Sequence, residues 1–340
     1  LAVKTTNLVL LSLAWSLSLP GTVSAGPPEA IPVPGKPGIF SYTYLEADSR
    51  EAARQLGMTA EEAAAFKAKL DRVAEAFHKN PVLRDPKGFD ARVTARIFHP
   101  YYWGKRPYDY RYIGEVRVFL EYWFEWKGKT VKQAIEPPQF TAFVNDAEVL
   151  WRGGPYSQAG DDKDKAVDEA AARLRELLTP EKVRELGPGV TLYRTMIVVS
   201  DPAVPLYLPV TVGEVFKRQL AYWRLMVKRD PYQKVLLDMV EQEYDKLGPG
   251  EPDKPAYHAI NGAYVSSQPN ERPVMRLNPA YFDRSLPRTA VRLVTIPVPD
   301  DLDVRRDDGF SGQAACGYLR LYQTARAHDP AALRSLIDSK

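Results

Sequence analysis

The residues best suited to chemistry are Tyr101, Tyr102, Trp103, Arg106, Tyr108, Tyr110, Arg111 and Tyr112, in a run that also holds Lys105 and Asp109. Flat rings interleaved with cations stack on sugars or grip aromatic and anionic groups. The run follows neither a helical nor a strand period, so it reads as a loop between two strands and is the candidate ligand-binding site. The same residues also suit plain architecture, with the rings packed onto a sheet and Arg stacked on Tyr. Trp123 and Phe119, on the wetter face of the following strand, would extend the surface.

Paired carboxylates are the other chemistry to weigh, as general acid and base on a polysaccharide. Glu121 and Glu125 share a strand face, but four residues at about 3.3 Å each separate their Cα atoms by roughly 13 Å. Glycosidase carboxyl pairs stand only about 5–9.5 Å apart. A partner would have to come from another strand, and no catalytic residue is assigned.

Two short motifs fail on their own requirements. Gly128-Lys129-Thr130 resembles the end of a phosphate-binding loop, yet Trp123 stands where the first glycine belongs. It reads as a turn out of a strand. Gly309-Phe310-Ser311-Gly312 lacks the last glycine of a nucleophile elbow, because position 313 is Gln. His78, His99, His258 and His328 are scattered, and Cys316 is the single cysteine. No metal site, cofactor or intramolecular disulfide is therefore expected.

The elements that would position these residues show clear periods. Thr59 and Glu62 form a capping box ahead of Ala63, Phe66, Leu70, Val73, Ala74 and Phe77, an apolar helix face that Asn80-Pro81 stops. Residues 89–97 and 115–126 alternate in the strand period, and a further strand lies near 139–144. Residues 166–177 predict a helix, 191–199 a strand apolar on both faces, and 211–227 a capped helix. Asp230-Pro231 restarts that helix, and Val235, Leu236, Met239, Val240, Tyr244 and Leu247 continue its core stripe. The repeated Leu-Gly-Pro-Gly at 186–189 and 247–250 reads as a helix stop. A strand at 291–298 and a short helix from Ala331 close the chain. The expected fold is α+β, a largely antiparallel sheet packed by several amphipathic helices.

The first 25 residues have the three parts of a secretory signal: Lys4, an apolar run from Leu8 to Leu19, and Val23-Ser24-Ala25. Cleavage is expected between Ala25 and Gly26, leaving the product in the periplasm or medium of a bacterium. Residues 26–47 are proline-rich and read as a linker. Residues 48–340 would form one domain, with a subdivision near 153–155 as the alternative. No later apolar stretch reaches membrane-spanning length. The 46 basic and 43 acidic residues are interspersed for a net charge of +3, which is no footprint for nucleic acid.

Three segments resemble an uncharacterised group of exported bacterial proteins of unknown function. They are residues 80–89 (NPVLRDPKGF), 206–211 (LYLPVT) and 278–283 (NPAYFD) followed by Leu286-Pro287. The resemblance implies export but no activity and no site residues. The resulting expectation is a non-enzymatic envelope protein that binds a ligand or protein partner through 101–112. A hydrolase acting on cell-wall polysaccharide with carboxylates from separate strands is the competing reading.

Overall fold

A computed structural model describes residues 31–33, 35–100, 110–133, 137–151, 164–259, 265–282, 284–298, 321, 323–324 and 326–338. In chain order the strands are β1 (Ile31–Pro32), β2 (Phe40–Tyr44), β3 (Phe89–Phe98), β4 (Ile113–Trp126), β5 (Lys129–Lys132), β6 (Gln139–Val144), β7 (Lys182–Gly187), β8 (Val190–Tyr193), β9 (Met196–Ser200), β10 (Tyr207–Pro209), β11 (Tyr257–His258), β12 (Val265–Ser266), β13 (Met275–Leu277) and β14 (Leu293–Pro297). The helices are α1 (Glu46–Gln55), α2 (Ala60–His78), α3 (Pro81–Arg84), α4 (Lys165–Arg175), α5 (Val212–Arg229), α6 (Lys234–Asp245) and α7 (Pro330–Arg334).

Ten strands join in one sheet, whose main path runs β2-β3-β4-β6-β14-β9-β8-β7. Every pair along it is antiparallel except β2 with β3. The architecture is α+β, as the alternation predicts. Strands from both sides of residues 153–155 share this sheet, since β6 pairs with β14.

Val93, Ala95, Val116, Val118 and Leu120 are fully buried on the inner face, where α1 and α2 cover them. The Thr59–Glu62 capping box is complete, with Glu62 N donating to Thr59 Oγ1 at 3.1 Å and Thr59 N to Glu62 Oε2 at 2.9 Å. At Gly114, α2 comes so close to β4 that a Cβ would meet Leu70 Cδ2 at 2.5 Å. The outer face differs along its length. At β9 and β14 it is apolar, with Val198 and Leu293 in a core with Leu150, Leu206 and Tyr281. At β3 and β4 it is charged. A third core gathers α4, α5 and α6 around Phe216.

Four sequence expectations need correction. Residues 31–32 and 40–44, read as linker, are strands β1 and β2. The aromatic alternation of Phe40, Tyr42 and Tyr44 supplies the strand, and the crossover through α1 and α2 makes its pairing to β3 parallel. The single strand expected over 191–199 is a hairpin of β8 and β9, with Tyr193 opposite Met196. The Leu-Gly-Pro-Gly at 186–189 is no helix stop but the β7–β8 turn, where Gly189 takes a φ of 74°. Val235, Leu236 and Met239, assigned to the core stripe, stand exposed.

Candidate ligand-binding surface

The aromatic–cationic run does connect two strands, since Phe98 of β3 pairs with Ile113 of β4. Tyr101, Tyr102, Trp103, Arg106 and Tyr108 lie outside the described residues. Tyr110, Arg111 and Tyr112 are placed, and their environments diverge.

Tyr112 is fully buried against Phe66 of α2. Its hydroxyl donates to Glu62 Oε2 at 2.8 Å. Burial, and then that hydrogen bond, push the phenol up to about 12. Arg111 is buried too, its Nη1 donating to the carbonyl of Pro287 at 2.7 Å. Both side chains are taken up by the body of the fold. Tyr110 is half-buried. Around its ring lie three guanidinium groups, with Arg284 at 5.3 Å, Arg111 at 5.9 Å and Arg288 at 6.0 Å from the centroid. Arg288 also donates from Nε to the Tyr110 carbonyl at 3.2 Å and covers the Tyr112 ring at 4.3 Å.

Asn145 brings these distant segments together. Its amide donates to the carbonyls of Tyr112 at 3.0 Å and Ala290 at 2.9 Å, while its oxygen accepts from Arg292 N at 2.8 Å. A buried amide this fully bonded pins the start of β4 to the segment leading into β14. Arg284 and Arg288 were missed by sequence reasoning because they lie more than 170 positions from Tyr110. The only local signal was Leu286-Pro287, whose carbonyls now hold Arg111.

The proposed extension across the outer face is differently built. Phe119 has the Arg92 guanidinium 4.1 Å over its ring, and Trp123 has Lys36 Nζ at 3.3 Å. Trp123 Nε1 donates to Asp90 Oδ1 at 3.2 Å. One face of each ring is thus already covered by a cation of the same chain.

Asp90, Glu115 and Glu121 on this face are paired as well. Glu121 is not alone, since Asp90 sits directly opposite on β3. Lys132 reaches both, at 3.0 Å to Glu121 and 3.3 Å to Asp90, and Arg92 Nε lies 2.6 Å from Glu121. Burial pushes the Glu121 carboxyl up, but hydrogen bonds from Arg92 and Lys132 outweigh it and hold it below its usual range. A general acid needs the opposite shift. Glu115 likewise accepts from Arg96 and Arg117, each at 2.8 Å. These acids neutralise the sheet's arginines and hold adjacent strands together.

A concave feature of about 630 Å³ lies between β2, α2 and α7. Phe40 stacks on His78 in its wall, with centroids 4.4 Å apart, and Tyr42 donates to Asp71 at 2.5 Å. Its charges are matched, Asp71 with Lys67, Glu75 with Lys79 and Arg72 with Asp338. No group of three or more His, Cys, Asp or Glu among the described residues is placed to hold a metal ion. No helix among them is long and apolar enough to cross a membrane. Ser311 and Cys316 fall outside the described residues.

Taken together these features define an α+β sheet protein in which the half-buried Tyr110 ring lies among the guanidinium groups of Arg111, Arg284 and Arg288. Comparison with known proteins finds no matching family model, no matching curated relative and no matching solved structure.

Proposed function

We propose that this chain is an exported, non-enzymatic binding protein whose ligand or partner engages the aromatic–cationic segment 101–112 together with Arg284 and Arg288. The observation that carries the reading is the gathering of three guanidinium groups around the half-buried Tyr110 ring. Such a cluster favours an anionic group, and Tyr101, Tyr102, Trp103 and Tyr108, a few positions earlier in the sequence, are residue types that give flat apolar contact to whatever bears it. Hydrolysis by paired carboxylates draws no support from Asp90, Glu115 or Glu121, each of which already serves a cation. Export rests on the residues before Gly26, and mass spectrometry of the product should find its N-terminus at Gly26.

The test uses Tyr102→Ala/Trp103→Ala and Arg284→Ala variants, leaving the buried Arg111 in place. Titration calorimetry against anionic envelope saccharides and phosphate-bearing envelope polymers should show binding by the wild type. The variants should lose about tenfold or more of it, the equivalent of roughly 1.4 kcal/mol. Equal affinity of variants and wild type for every polymer that binds would end the proposal, as would no binding at all.

A further inference from the structure

The two ends of the main sheet path are built differently. At one end β7 breaks register twice against β8 and exposes Lys182, Arg184 and Glu185. Irregular pairing and outward charges keep an edge strand from templating another chain. At the other end β2 runs Phe-Ser-Tyr-Thr-Tyr in unbroken register with β3, without charge, proline or bulge. Ala91 N donates to the Ile39 carbonyl at 2.9 Å and Leu45 N to the Ala95 carbonyl at 2.8 Å, so the odd-numbered residues turn their backbone to β3. The amides and carbonyls of Phe40, Tyr42 and Tyr44 therefore point away from the sheet. On that side β2 has no further strand among the described residues.

Those groups fit an extended strand, and β2 is complementary to itself. In an antiparallel pair, residues that exchange both backbone bonds stand directly opposite each other. With Tyr42 on a two-fold axis, Phe40 meets the partner's Tyr44 and Tyr42 meets the partner's Tyr42, so all three outward-pointing residues are bonded. Moving the axis to Ser41 or Thr43 pairs only two of them. On the α2 side the Tyr42 register sets ring against ring. On the other side it sets Ser41 against the partner's Thr43, and the exposed Ile39 against the partner's Leu45. Such cross-strand pairs stabilise neighbouring strands. The rings are already held by α2, since Phe40 stacks on His78, Tyr42 donates to Asp71, and Lys67 Nζ lies 4.8 Å from the Tyr44 ring centroid. Asp71 is matched by Lys67 of its own chain, so the pairing rests on backbone and rings rather than on charge.

We infer that β2 is a homodimerisation edge, on which a second copy of this chain pairs antiparallel about Tyr42 and continues the sheet. Such a contact is isologous, so one set of residues serves both sides. It uses both β2 edges and leaves the two protected β7 edges at the ends of the joined sheet, so association stops at two copies. The inference rests on the backbone of β2 and does not depend on the segment at 101–112 binding anything.

Light scattering on the full chain, coupled to size-exclusion chromatography, tests the inference. At about 50 μM, where a standard-sized interface is mostly occupied, the wild type should have twice the mass of one chain. Ser41→Lys/Thr43→Lys sets like charges directly opposite each other and should have the mass of one chain with unchanged circular dichroism. Ser41→Lys/Thr43→Glu should restore the doubled mass. In a Cys316→Ser background, oxidation of a mixture of the Ser41→Cys and Thr43→Cys chains should cross-link one to the other, because residues opposite in such a pair stand within disulfide reach. Neither variant alone should cross-link. A wild type that stays monomeric would overturn the inference, and so would a doubled mass that persists in the double-lysine variant. Cross-linking of either cysteine variant with itself but not in the mixture would overturn the register about Tyr42. A monomeric wild type whose Phe40, Tyr42 and Tyr44 amides resist hydrogen exchange would assign the edge to another segment of the same chain instead.

Discussion

Arg292 Nη1 lies 2.8 Å from Asp201 Oδ2, and both side chains are almost wholly buried, at 2% and 7% exposure. The pair joins the start of β14 to the end of β9. The same Nη1 donates to the carbonyl of Asp338 at 2.8 Å, which holds the C-terminal segment in place. Tyr281 completes the node, accepting from Asp201 N at 2.9 Å and donating to the Arg292 carbonyl. Burial pushes the Asp201 carboxyl up, but the Ala203 amide and Arg292 together hold it below its ordinary range.

Removing one member of such a pair strands the other charge in the interior. Asp201→Ala should cost about 3–5 kcal/mol of stability, read as a lowered urea midpoint. Replacing both residues together, Asp201→Leu with Arg292→Met, should cost clearly less, because no buried charge is left unmatched. Equal losses in the single and double variants would show that packing, not charge, dominates this node.

His328 supplies a pH dependence. Its ring lies against Phe77, with centroids 4.9 Å apart, and Nε2 makes no hydrogen bond among the described residues. Burial lowers its pKa from 6.5 to about 4. The unfolded chain thus takes up a proton at a pH where the folded chain does not. Its contribution is present above pH 6.5 and is lost as the pH falls from 6.5 through about 4. Over that window the loss amounts to about 3 kcal/mol. In thermal unfolding at pH 7 and pH 4.5, His328→Leu should show a smaller drop in Tm than wild type. An identical drop in both proteins would remove His328 as the cause.

The β4–β5 hairpin tests backbone conformation without packing. Lys127 and Gly128 both take positive φ, 50° and 70°, as a two-residue turn with right-handed twist requires. A Cβ on Gly128 would meet nothing within 4 Å, so Gly128→Ala costs only conformational strain. That should be about 1 kcal/mol. Lys127→Asn should act in the other direction by a few tenths of a kcal/mol, since Asn tolerates this region better than Lys. Chemical denaturation reads both, and a destabilised Lys127→Asn would refute the turn assignment.

How much of this could be read from the chain depends on the range of the interaction concerned. The caps and periods were legible because each involves residues at most a few positions apart. Thr59 and Glu62 mark the start of α2, and the alternation of 89–97 and 115–126 names the buried face of each strand. The turn at Lys127-Gly128 was legible for the same reason. The β8–β9 hairpin was hidden because Arg194-Thr195 carries neither Gly nor Asn, and Ile197, Val198 and Val199 are buried on both faces. Strand β2 was hidden in proline-rich surroundings, and only its pairing with β3 makes it part of the sheet. In the candidate site, Tyr110 was visible as a type of residue. Arg284 and Arg288 became its neighbours only through Asn145 and the docking of β14 against β6.

By itself the sequence determined the capped starts of α2 and α5, the alternation of β3 and β4 with the buried face of each, and hence the α+β class. Those properties follow from side-chain periodicity and local hydrogen bonding, which act within a few residues. Tertiary structure alone decided that Arg292 meets Asp201, that Asp90, Glu115 and Glu121 of the outer face are occupied by cations, and that one apolar side of α6 is left uncovered. These depend on how segments scores to hundreds of residues apart come to lie together. No local period encodes that, because many arrangements bury the same apolar stripes and only the packed whole selects one.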